Sequence, residues 1–180
     1  MAMNWLVIVP VVAAKFLLPV ALIWFPFAAG WANFVLDTVD GDLLIPAGLG
    51  NSSDPNENHL YQNLDKIADY TTYVFMVIAA WKWPVRRWII GLFAVRTVGQ
   101  TLFFVTQNEL MLLFFPNFLE PLFLVCATLL FFKRAAAWDH LVRYRFVYGA
   151  AIFVYKMQDE VLTHLVDFDR SEAISRLFGG

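Results

Sequence analysis

Between Trp5 and Val166 the chain returns again and again to long apolar runs, and that recurrence limits its folds more than any other feature. A spanning helix needs roughly 20 predominantly apolar residues to cross about 30 Å of hydrocarbon. Runs at Trp5–Trp24, Leu60–Trp81, Trp88–Thr106, Glu109–Phe132 and Arg143–Val166 meet or approach that length. In hydrocarbon every backbone N–H and C=O must be satisfied internally, so such runs fold as helices. The expectation is an all-α, polytopic transmembrane helical bundle of about five spans. No Ser/Gly/Pro linker or charge run divides the chain, so residues 1–180 read as one integral membrane domain.

Composition supports this reading. At 60% hydrophobic and 17% aromatic residues, the chain is too apolar for an ordinary soluble domain. A net charge of −2 argues against nucleic acid, which needs a basic face. The single Cys126 rules out a disulfide framework. The N-terminus lacks the positive region of a signal peptide and Lys15 interrupts its apolar run, so a retained helix is expected.

The connections carry the polarity. After the first run the chain stays apolar to Leu36, before Asp37, broken by Pro26 and Gly30 but without a polar turn, and the 25–42 segment need not span. An interfacial or re-entrant segment fits that pattern. Gly48–His59 is polar and turn-forming and reads as an aqueous loop. Lys82, Arg86 and Arg87 crowd one connection and Lys133, Arg134, Arg143 and Arg145 another, whereas 43–60 and the turn at Asn108 have no Lys or Arg. Cytoplasmic loops carry the excess of Lys and Arg, which places the basic loops and the N-terminus inside and the 43–60 loop outside. Trp81, Trp83 and Trp88 stand beside the first basic loop, as an interfacial belt would.

Seven ionisable residues fall inside the spans. Counted at about 1.5 Å per residue, Lys15, Asp69, Arg96, Glu120, Lys156, Asp159 and Glu160 lie at comparable depths, with His164 one turn beyond Glu160. Charges facing lipid cost several kcal/mol each, so these groups should form an intramembrane network. Pro116 and Pro121 bracket Asn117 and Glu120, which predicts a broken fourth helix. Such a break survives only where protein packs it or water reaches it. It reads either as a cation-attracting cavity or as a packed bend in which Glu120 pairs with Arg96.

Five aspartates, Asp37, Asp40, Asp42, Asp65 and Asp69, gather where one apolar segment ends and the next begins. Asp65 and Asp69 share a helical face, and Asp37 and Asp40 do likewise if their segment is helical. Gly41 would let the chain turn sharply after them. Facing each other, Asp37, Asp40, Asp65 and Asp69 would make an oxygen-rich site for a divalent cation such as Mg²⁺, Mn²⁺ or Ca²⁺.

At Asp37, Asp40, Gly41, Asp65 and Asp69 the sequence resembles, in part, the CDP-alcohol phosphotransferase family. The family's acidic pattern is interrupted at Leu44, Ile45 and Tyr61, which stand where Ala, Arg and Gly occur. The resemblance implies a metal-dependent enzyme acting on lipid-linked phosphate, with the four aspartates as metal ligands and Asp69 as the base. Two further functions stand beside it. One is a non-catalytic membrane subunit or binding module with an outward-facing, divalent-cation-capable acidic site. The other is a cation or proton carrier using Asp69, Glu120, Glu160 and Lys156. Expected partners are membrane lipid and either further copies of the chain or a larger membrane complex, and no nucleic acid.

Overall fold

The computed structural model describes residues 3–49, 55–108 and 110–165, and for 55–59, 110 and 159–165 the backbone alone. The described residues are all-helical. Eight helices follow in order: α1 (Trp5–Ala21), α2 (Pro26–Leu44), α3 (Pro55–Ala79), α4 (Arg86–Thr106), α5 (Leu110–Phe114), α6 (Leu119–Lys133), α7 (Ala137–Arg143) and α8 (Arg145–Leu165).

The segment after α1 departs from the sequence reading. Residues 26–44 form one regular helix that returns along α1. Pro26 occupies its first turn, where the missing N–H costs nothing. Gly30 does not break α2. A Cβ there would meet Leu124 Cδ2 at 3.1 Å, so glycine lets α2 approach α6 closely. Gly41 is likewise helical and makes no turn. The left-handed residue is Gly48 (φ 97°), inside a π-helical turn over Ile45–Leu49. The polar loop is also shorter than expected, because α3 already begins at Pro55.

This full-length return moves the N-terminus. The Asn4 amide donates to the Ala47 carbonyl at 2.8 Å, so the start of α1 lies beside the end of α2. At the opposite end, Leu22, Ala80 and Ile89 share one buried cluster with Met76, Leu119 and Phe123. There, too, Phe27 stacks on Phe131, with ring centroids 4.3 Å apart. The N-terminus therefore sits with the acidic connection, not with the basic ones, as the positive-inside expectation had it. The reason is the full-length return of α2 along α1, which no polar turn announces.

Among the described residues, two stretches are long and apolar enough to cross a membrane, Arg86–Thr106 and Leu119–Arg143. Several large apolar side chains face outward while several charged ones lie inside. Leu6, Val105, Phe114, Trp88 and Phe146 are exposed, while Lys15, Asp40, Asp65, Asp69, Arg96 and Glu120 are buried. Soluble proteins do the reverse with such charges.

Candidate functional site: a buried lysine–aspartate cluster

Helical spacing on α3 builds the site. Tyr61, Asp65, Asp69 and Tyr73 recur every four residues and so lie along one face. That face meets α1 and α2, whose contributions are Lys15 and the Asp37/Asp40 pair. The Lys15 ammonium contacts Asp40 and Asp65 directly and lies 3.2 Å from Asp37 Oδ1. One side chain of α1 thus ties α2 to α3. Lys66 Nζ bridges Asp65 (2.7 Å) and Asp69 (3.2 Å). The Tyr61 hydroxyl donates to Asp40 Oδ1 at 3.2 Å. Its oxygen stands 3.0 Å from where a Cβ on residue 41 would sit, so Gly41 admits Tyr61 to the cluster.

The cluster is shielded unevenly. The side chain of Asp37 keeps 37% of its exposure, whereas those of Lys15 and Asp40 keep 4% and 2%. Access is therefore from the Asp37 side. Burying a charge is tolerated only where partners and hydrogen bonds compensate it. Four carboxylates against two ammonium groups leave this cluster formally two charges negative.

Of the four aspartates expected to bind a metal, Asp37, Asp65 and Asp69 bring ligand oxygens within 4.8 Å of one another. That span is no wider than the distance across a Ca²⁺ ion with oxygens at about 2.4 Å. Asp40 instead holds Lys15 and Tyr61. Asp42 is exposed on the far side of α2.

A second polar layer adjoins the first. Asn117, in the break between α5 and α6, donates from Nδ2 to the Tyr73 hydroxyl (2.9 Å) and to Glu120 Oε2 (3.2 Å). Its Oδ1 accepts the Glu120 amide at 3.3 Å, closing the start of α6. Arg96 donates to the Phe115 carbonyl at 3.0 Å, a group the break removes from the helix ladder. Gly99 permits this approach, since a Cβ there would fall 2.5 Å from Phe115 Cβ. Gln100 Nε2 donates to the Lys66 carbonyl at 3.4 Å and links the layers. Beyond Tyr73 the same face carries Met76 and, just past the end of α3, Ala80, both fully buried, and the polar stripe ends in the apolar core.

Of the residues expected in an intramembrane network, Lys15, Arg96 and Glu120 are buried, and Lys15 lies with the aspartates. Lys156 is half-buried on α8. The side chains of Asp159, Glu160 and His164 lie outside the described residues. Sequence reasoning passed over Lys66, Tyr61, Tyr73 and Asn117 as site members. The four-residue recurrence from Tyr61 to Tyr73 was the available signal. No family model matches the chain, and neither a curated protein nor a solved structure matches it.

Proposed function

We propose that the protein is a polytopic membrane-embedded binding module whose lysine–aspartate cluster takes up a cation. In this reading α1, α2, α3, α4, the α5–α6 pair and α8 all cross the bilayer. The N-terminus and the acidic connection face the non-cytoplasmic side, and the basic connections face the cytoplasm. One observation carries the proposal: the cluster seats two ammonium groups among four carboxylates, three of them buried, a formal excess of two negative charges. Buried excess charge draws counter-charge, and a divalent cation offsets it in one step. Asp37, Asp65 and Asp69 would hold the ion, entering past Asp37. Oxygen ligands at this spacing favour Ca²⁺ over the smaller Mg²⁺.

Binding requires Lys66, which shares two of those three aspartates, to swing aside. The half-buried Lys66 is thus a tethered competitor of the ion. The apolar closure at Met76 and Ala80 favours a module that holds its ion over a channel that conducts it. Titration calorimetry of the purified full chain with Ca²⁺ tests this. One ion per chain is expected, with binding lost in Asp65→Asn and kept in Asp139→Asn, whose residue is exposed on α7. Absence of binding to the wild-type chain, by Ca²⁺ and Mg²⁺ alike, would refute the proposal.

A second reading rests on the same three oxygens: a metal-dependent enzyme on lipid-linked phosphate, with Asp69 as base. Its distinguishing result is metal-dependent transfer of a phosphoryl group from a lipid-linked donor to an alcohol, abolished in Asp69→Asn.

A further inference from the structure

The end of the bundle opposite the aspartates carries a different charge pattern. Packing brings two connections together there: Trp83 and Val85 lie against Leu129, Ala137, Leu141 and Trp138. One connection contributes Lys82, Arg86 and Arg87, the other Lys133, Arg134, Arg143 and Arg145, and all seven are exposed. Seven of the chain's 13 Lys and Arg residues thus share one face, against a single exposed acid among the described residues there, Asp139. Trp24, Trp81, Trp88 and Phe146 flank the face and are also exposed. Trp83 tilts onto Trp138 at 5.9 Å, which fixes the two connections to each other.

One of these cations is held at a cost. Arg134 has φ 49° and ψ −118°, a left-handed conformation that residues bearing a Cβ avoid. Glycine would take it freely, and nothing in the packing calls for arginine, because the residue is exposed. A backbone strained to keep a guanidinium at this point indicates that the side chain serves a ligand.

We propose that this basic, aromatic-rimmed face binds the phosphodiester headgroups of anionic phospholipids. Clustered Lys and Arg beside a spanning helix attract anionic lipid, and Arg pairs bidentately with phosphate. Exposed Trp side chains fit the same depth, with ring in the acyl boundary and N–H among headgroups. The proposal rests on the membrane reading above but not on cation uptake by the aspartates.

The experiment is electron spin resonance on the full chain, reconstituted in phosphatidylcholine with spin-labelled phosphatidylglycerol or spin-labelled phosphatidylcholine. A chain released from native membranes by alkaline carbonate would already end the membrane reading, before any lipid comparison. For the reconstituted chain, a preference for phosphatidylglycerol of roughly threefold or more is expected, weakening in high salt. Added inorganic phosphate should compete poorly, since it lacks the acyl boundary that the aromatic rim occupies. Arg134→Gly should lower the preference while leaving the melting temperature equal or higher. That pairing separates ligand binding from a structural role. The Arg86→Gln/Arg87→Gln/Arg143→Gln/Arg145→Gln variant should bring the ratio close to one. A wild-type ratio near one, as for a face that docks an acidic protein instead, would overturn the proposal. So would an unchanged ratio in both variants.

Discussion

The two ends of this bundle handle charge in opposite ways. Toward the N-terminal end, Lys15 and Lys66 are drawn into a cluster with Asp37, Asp40, Asp65 and Asp69 and lose most of their solvent. At the far end, Lys82, Arg86, Arg87 and their neighbours stand exposed, with Asp139 the one exposed acid among the described residues there. The same residue types therefore have different energetic meaning. A buried cation is fixed by its partners, so removing it strands their charge. An exposed cation is solvated, and the fold hardly registers its loss. In the cluster, charge and folding are linked, while at the basic face they are separate.

Lys15→Met tests the buried half most severely. It leaves Asp37, Asp40 and Asp65 without their shared ammonium, and uncompensated buried charge costs about 3–5 kcal/mol. Thermal unfolding of the purified chain should show a large fall in Tm, partly restored by Ca²⁺, which would take the lost charge's place. A loss below about 1 kcal/mol would mean that the aspartates do not depend on Lys15, and the contrast between the ends would collapse.

Much of this arrangement was legible in the sequence, and what was missed has identifiable causes. Apolar run lengths located α1, α3, α4, α6 and α8 as helices, because long uniform apolar stretches pack as helices. The prolines at 116 and 121 marked the break that Arg96 and Asn117 now hold. The Asp65/Asp69 pair followed from helical spacing alone. The passage from α1 to α2 was hidden, since Trp24-Phe25-Pro26 reverses the chain without a polar residue. With that return unseen, the N-terminus was placed beside the basic connections instead of beside Ala47. The docking of Lys15 was hidden for another reason. Its partners are 22, 25 and 50 residues away, and no local pattern encodes an ammonium's choice among distant carboxylates.

Lys66→Ala sharpens the comparison at intermediate size. Lys66 is half-buried; without it Asp65 keeps Lys15, while the buried Asp69 loses its ion pair. Stability should fall, though by less than in Lys15→Met, where three carboxylates lose their shared ammonium. Removal of the tethered competitor should tighten Ca²⁺ binding by roughly fivefold, the equivalent of about 1 kcal/mol. Calorimetry reads both number and affinity. Weaker binding in Lys66→Ala would mean that the lysine supports the ion site, not that it competes there.

The smallest effect is expected at the far end. Arg86 begins α4 with its side chain in solvent, beside Arg87 and across from the second basic connection. A cation at a helix N-terminus is opposed by the helix dipole, and its basic neighbours add repulsion. Arg86→Gln should therefore shift unfolding by no more than about 0.5 kcal/mol, in the stabilising direction. Thermal melts at low and high salt decide the matter, because screening should erase a gain that comes from relieved repulsion. If Arg86→Gln instead destabilised the chain as Lys15→Met does, Arg86 would be a structural ion-pair partner, and the basic face would not be free for a ligand. A small gain that vanishes in salt would mean that these arginines are kept against the interest of the fold, as a lipid-binding face requires.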